Sequence, residues 1–185
     1  MSSSKAGLAR GESGFTLIDM LFVIALIGLL STLAIPGLMR ARGAAQSASA
    51  LGSMKVINSA QLSFAITCGL GFYSPDLPRL GVIPPSAIDA FLPPEMSSSP
   101  TFIKSGYTFS MAGVGLTGAP ASCNGLPAGA ASSGYALVAD PLDQTPGSGA
   151  RFFGTNADGT IYEDSASYEL TMPETGAPPG GAPIR

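Results

Sequence analysis

The sequence predicts an α+β protein: a long N-terminal α-helix, apolar in its first half and amphipathic in its second, packed on a small antiparallel β-sheet. Three observations predict it. An apolar run of 20 residues, Met20 to Met39, lies near the front; an amphipathic pattern continues it to about Thr67; and most of the 24 glycines and 16 prolines lie beyond residue 68, between short alternating stretches. Long helical signals and turn-bounded strand signals thus occupy separate parts of the chain, the segregation that defines this class.

Residues 1–14 hold Lys5, Arg10 and Glu12 among serines, glycines and alanines. Such a composition carries too little apolar surface to fold, and it reads as a removable or disordered leader. Residues 15–39 come next. At 1.5 Å per residue the run Met20–Met39 measures roughly 30 Å, enough to cross a hydrocarbon core, and it lacks the polar face that a helix at the surface of a soluble domain shows. It is expected to enter a membrane. A secretory signal peptide cut near Thr32-Leu33-Ala34 and a plain single-pass anchor both accommodate this composition. Lys5 and Arg10 before the run are matched by Arg40 and Arg42 after it, so charge counting leaves the orientation open.

Asp19 is the only acid between Gly14 and Pro36. A carboxylate at the centre of a bilayer costs roughly 2.5–3.5 kcal/mol, less near an interface, so it calls for a partner or a task. The plain alternative is that a negative charge in the first helical turn complements the helix dipole. Gly28 and Pro36 are weak points of the helix, since glycine costs about 1 kcal/mol relative to alanine and proline removes an intrahelical hydrogen bond.

From residue 40 to 68 the pattern changes. Arg40, Arg42, Gln46, Ser47, Lys55 and Asn58 interleave with Ala44, Ala48, Leu51, Met54, Ile57, Ala60 and Phe64, and the apolar members recur every three or four positions. That face is expected to pack on a domain. A continuous helix from Phe15 to Thr67 would span roughly 80 Å at the standard rise.

Residues 69–104 carry the proline clusters Pro84-Pro85 and Pro93-Pro94 with Pro75 and Pro78, which predict a connecting loop with at most one short helix over Ser86–Leu92, its Ile88, Phe91 and Leu92 facing inward. Residues 105–172 are expected to form a sheet of three to five strands, at Tyr107–Met111, Tyr135–Ala139, Ala150–Gly154 and Thr160–Glu163, with Tyr168–Met172 as a further edge strand. Asp158-Gly159 predicts a hairpin turn between the third and fourth. Asn156 and Asp158 lack the spacing and terminal glutamate of a calcium loop, so a plain turn is the expectation there. Residues 173–185 read as a flexible tail.

Composition excludes several chemistries. With no histidine and only Cys68 and Cys123, the chain cannot assemble a Cys/His zinc site, a Ser-His-Asp triad or a Cys-His dyad. A net charge of -3 gives no basic excess to neutralise a nucleic-acid backbone, and no spacing of Asp140, Asp143, Glu163 and Asp164 marks a general acid/base pair. No cofactor, metal or catalytic site is expected, and no direct nucleic-acid site. Outside the cytoplasm Cys68 and Cys123 would form a disulfide worth about 4 kcal/mol in the chain-entropy model, with free buried thiols as the alternative.

Over Gly14–Pro36 the chain resembles the N-terminus of type IV pilins and of the pseudopilins of type II secretion. The resemblance rests on the Gly14-Phe15-Thr16-Leu17 junction, an acid five places after the glycine, a long apolar helix with Pro36, and the internal Gly28. Beyond about residue 70 it is architectural. It implies that a prepilin peptidase cuts between Gly14 and Phe15 and methylates the new amino terminus of Phe15, leaving the apolar helix on the mature protein. It further implies that Asp19 pairs with the freed amino terminus of a neighbouring subunit during assembly, although the family usually has glutamate there, one methylene longer. Local unwinding between Gly28 and Pro36 on filament formation is implied likewise. The partners implied are further copies of the chain in a helical filament, lipid before assembly, an inner-membrane assembly platform and an ATPase motor. The chain would reside in the inner membrane as a precursor and then in a periplasm-spanning or cell-surface filament, as a pilus subunit, a minor pilin or a pseudopilin. A single-pass membrane-anchored binding module is the reading from a different class, and an enzyme is not expected.

Overall fold

The computed structural model describes residues 14–145 and 151–184. One helix, α1, runs without interruption from Leu17 to Thr67, with Pro36 inside it. The chain divides into two units, Met1–Ala41 and Arg42–Arg185, and α1 contributes to both. In the first unit every apolar side chain from Phe15 to Met39 is exposed, and the helix is long and apolar enough to cross a membrane.

In the second unit, the Arg42–Thr67 part of α1 packs on an antiparallel sheet whose six strands follow chain order: β1 Thr101–Lys104, β2 Tyr107–Ala112, β3 Ala136–Pro141, β4 Phe152–Asn156, β5 Ile161–Asp164 and β6 Ala182–Pro183. The buried stripe of α1 is Ser47, Ala50, Met54, Ile57, Gln61 and Phe64, alternating steps of three and four residues as a helix face must. Ala44 and Ala48, expected on that face, are exposed. Alanine and serine differ too little in size to choose the face, and Ser47 turns inward because its hydroxyl meets the Tyr107 hydroxyl at 3.1 Å.

The side of the sheet toward α1 carries Phe102, Phe109, Met111, Leu137, Ala139, Phe153 and Ile161, all part of the main core. Phe102 and Phe109 are cross-strand partners with stacked rings, centroids 4.7 Å apart. Burying them with Met54, Ile57 and Phe64 is what couples the helix to the sheet, at about 1.5–3 kcal/mol for each large apolar side chain. Gln61 is fully buried among these groups yet satisfied: its Nε2 donates to the Ser74 carbonyl at 2.8 Å and its Oε1 accepts from the Ser74 N–H at 2.9 Å. The clip fixes the chain as it leaves the helix end.

Several local expectations need correction. Residues 69–104 contain two short helices, α2 Leu77–Leu80 and α3 Pro94–Ser97, and end in β1. Ser86–Leu92 is irregular, with Ile88 at 91% exposure, although Leu92 is buried and Phe91 meets Phe64 edge-on at 5.5 Å. Of the prolines in this region, Pro78 and Pro94 lie in the first turns of α2 and α3, whereas Pro84-Pro85 and Pro93-Pro94 do not border one helix between them. Strand β1 exists because Ser105 and Gly106, at φ 51° and 81°, make the two-residue turn that folds Thr101–Lys104 back on β2. The strand expected at Ala150–Gly154 begins at Phe152, and Ala150 lies outside the described residues. The hairpin at Asp158-Gly159 forms, with Gly159 at φ 76° and its N–H bonded to the Asn156 carbonyl.

Tyr168–Met172 is a turn, closed by the N–H groups of Thr171 and Met172 on the Tyr168 carbonyl, and not an edge strand. It covers the other face of the sheet, where Tyr168 and Met172 pack on Val138. Four residues apart on one turn, the two side chains point the same way, which a strand also allows but a separate layer requires. The tail expected to be flexible is tied down: Asn156 Nδ2 donates to the carbonyls of Pro173 and Gly176, the Gly176 N–H donates to Asp158 Oδ2 at 2.8 Å, and β6 pairs with β5.

Candidate functional site

The residues singled out near the N-terminus lie on or beside the first turns of α1. Gly14 and Phe15 are exposed just before the helix, and residues 1–13 of the expected leader lie outside the described residues. Asp19 sits in the first turn and binds its own chain: its carboxylate accepts the Thr16 main-chain N–H at 3.1 Å and the Thr16 hydroxyl at 2.5 Å, while the Asp19 N–H meets Thr16 Oγ1 at 3.4 Å. This is a reciprocal capping box with aspartate in the place usually held by glutamate or glutamine. It satisfies main-chain donors that a helix end otherwise leaves open. Thr16 had no role assigned from sequence, though its position three residues before the acid is the signal for one.

Gly28 and Pro36 both fall within continuous helix, and a Cβ on Gly28 would meet open space. Between them Ser31 and Thr32 donate their hydroxyls to the carbonyls of Ile27 and Leu29 at 2.8 and 2.7 Å. Hydroxyls that bond back to the preceding turn need no outside partner, so these two side chains keep their polar atoms satisfied in an apolar medium. Phe15, Leu17 and Leu33 are the most exposed of its large apolar residues, at 74%, 82% and 76%. A surface of this size and continuity marks a site of contact with lipid or protein.

In the second unit, Cys68 and Cys123 form the disulfide, with Cα atoms 4.9 Å apart and the Cys123 N–H on the Cys68 carbonyl at 3.2 Å. It ties the end of α1 to the glycine- and proline-rich loops whose own small core is Ala119, Leu126 and Ala131. On the far face of the sheet a shallow cavity of about 260 Å³ is lined by Thr101, Thr108, Ser110, Asp140, Leu142 and Glu169. Asp140 accepts from the Ser167 hydroxyl at 2.5 Å, and its other carboxylate oxygen is buried without a hydrogen bond. Burial holds this carboxyl above its ordinary range, opposed by the Ser167 bond and reinforced by Glu169. Burial also pushes the Tyr168 phenol up to about 12, with Asp164 and Glu163 adding to it. Among the described residues no three or more histidine, cysteine, aspartate or glutamate side chains group as metal ligands.

No protein-family model, curated protein or solved structure matches the chain.

Proposed function

We propose that the chain is a structural subunit of a type IV pilus-like filament, made as a membrane-inserted precursor, trimmed after Gly14, and polymerised through the apolar half of α1. The observation that carries this reading is the long exposed apolar stretch of that helix, which starts directly after a Gly-Phe-Thr junction and holds Asp19 as its one acid. Lipid covers such a surface before assembly, and the same helices of other copies cover it afterwards. Because lipid is as apolar as the side chains, packing and charge pairing supply the preference for the filament.

In this reading Phe15 becomes the mature amino terminus, and Asp19, already held at the helix start by Thr16, presents the charge that a neighbour's terminus meets. The second unit is the part displayed to the outside, where its disulfide belongs. The role is one of assembly and not of catalysis. The deciding experiment is the intact mass and N-terminal sequence of the protein from membranes and from sheared surface material. A chain beginning at methylated Phe15 in both fractions is expected. A start after Ala34, or a retained Met1 leader, overturns the proposal.

A further inference from the structure

The two cysteines of the disulfide stand in unlike surroundings. Cys68 is 3% exposed, belongs to the main core, and directly follows the last residue of α1, whose final turn holds no basic residue. Cys123 is exposed. Its loop is held in place by the Ser122 N–H on the Leu126 carbonyl at 3.0 Å and by Asn124 Nδ2 on the Arg79 carbonyl at 2.7 Å, so the exposure is a feature of an ordered turn.

Thiol–disulfide exchange needs a reachable sulfur to attack and a second sulfur to leave as thiolate. We propose that Cys123 is a thiol-exchange site for low-molecular-mass thiols, with Cys68 as the leaving and resolving sulfur. An incoming thiolate attacks Cys123 Sγ; a new S–S bond forms there, the bond to Cys68 breaks, and its electron pair leaves on Cys68 Sγ. The exchange conserves the number of disulfides and consumes no oxidant or reductant. Attack in the opposite sense is blocked because Cys68 is buried.

The leaving thiolate lies in apolar surroundings at the carbonyl end of a helix, which disfavours negative charge. It therefore leaves slowly and, once formed, returns to Cys123 and expels the external thiol, helped by the Cys123 N–H bond to the Cys68 carbonyl that keeps the pair together. The site thus takes up a thiol in one direction only and restores the native bond. This inference concerns the second unit and holds whether or not the chain forms filaments.

The test uses the full-length protein in detergent, incubated with reduced glutathione, quenched in acid, alkylated and analysed by peptide mass spectrometry. Glutathione on Cys123 with alkylated Cys68 is expected, at about tenfold or more over the opposite isomer, because only one of the two cysteines is exposed. Equal or inverted amounts overturn the proposal, as does reduction of the bond, or its full persistence, with no Cys123 adduct at any time. In the single variants, the Cys123 thiol of Cys68→Ser is expected to alkylate about tenfold or more faster than the Cys68 thiol of Cys123→Ser. Equal rates, from folded or unfolded variants, count against it.

Discussion

The ring of Tyr168 lies on the main chain of Gly154: a Cβ at position 154 would stand 2.9 Å from the ring's Cγ and Cδ2 and from Met172 Sδ. Position 154 sits in the middle of β4, where a side chain would point to the face opposite α1. The glycine's missing side chain is the space into which the Tyr168–Met172 turn settles. It explains a glycine inside a strand, where the residue otherwise weakens pairing.

Gly154→Ala is accordingly expected to destabilise the protein by about 1–3 kcal/mol, the usual cost of forcing extra atoms into a packed site. Denaturant unfolding followed at the tyrosines measures it. Unchanged stability would mean that the turn is not seated on β4.

Gln61→Leu preserves bulk but removes the bonds that the Gln61 side chain makes to the buried N–H and C=O of Ser74. A loss of about 1–3 kcal/mol for each unsatisfied group is expected. The check is a lower denaturant midpoint with an unchanged slope; a wild-type midpoint would remove the clip's importance.

Asp140 has a carboxyl held above its ordinary value, chiefly by burial. In the window above pH ~4 the folded chain therefore binds more protons at this site than the unfolded chain does, and stability contributed there falls as pH rises. Asp140→Asn removes the titration. The variant is expected to match the wild type near pH 4 and to melt higher at pH 7; a constant difference across that range would show that Asp140 does not titrate with folding.

Asp19→Ala is expected to leave membrane insertion intact and to reduce filament yield by roughly tenfold or more, since a charge-assisted hydrogen bond is worth about 1.5–3 kcal/mol. Membrane fractionation and quantification of sheared material separate the two effects. Normal yield from Asp19→Ala would leave the residue with only its capping bond to Thr16.

Much of the architecture was legible in the sequence because its signals are local. Helix α1 ends at Thr67, where the periodic apolar residues stop, and the Asp158-Gly159 hairpin follows from the positive φ that glycine adopts without steric cost. Strand β1 was not legible: Thr101-Phe102-Ile103-Lys104 does not alternate apolar and polar residues, and only pairing with β2 decides that Phe102 is buried and Ile103 exposed. Asp19 stood out as a lone acid, whereas its partner Thr16 was passed over, although a threonine three residues before an acid at a helix start is a capping signal.

The amino-acid sequence by itself determined the long helix, its apolar half and the class of the fold, because length, hydrophobic period and turn residues act over a few positions. Only the tertiary structure decided which face of Ala44–Ala50 is buried, that Tyr168 belongs to a second layer seated on Gly154, that residues 173–184 are pinned by Asn156 and Asp158, and that Cys68 and Cys123 differ so sharply in exposure. Each of these depends on which distant surface the residue meets. Small side chains such as alanine, serine and glycine carry too little burial energy of their own to choose that surface without a partner in place.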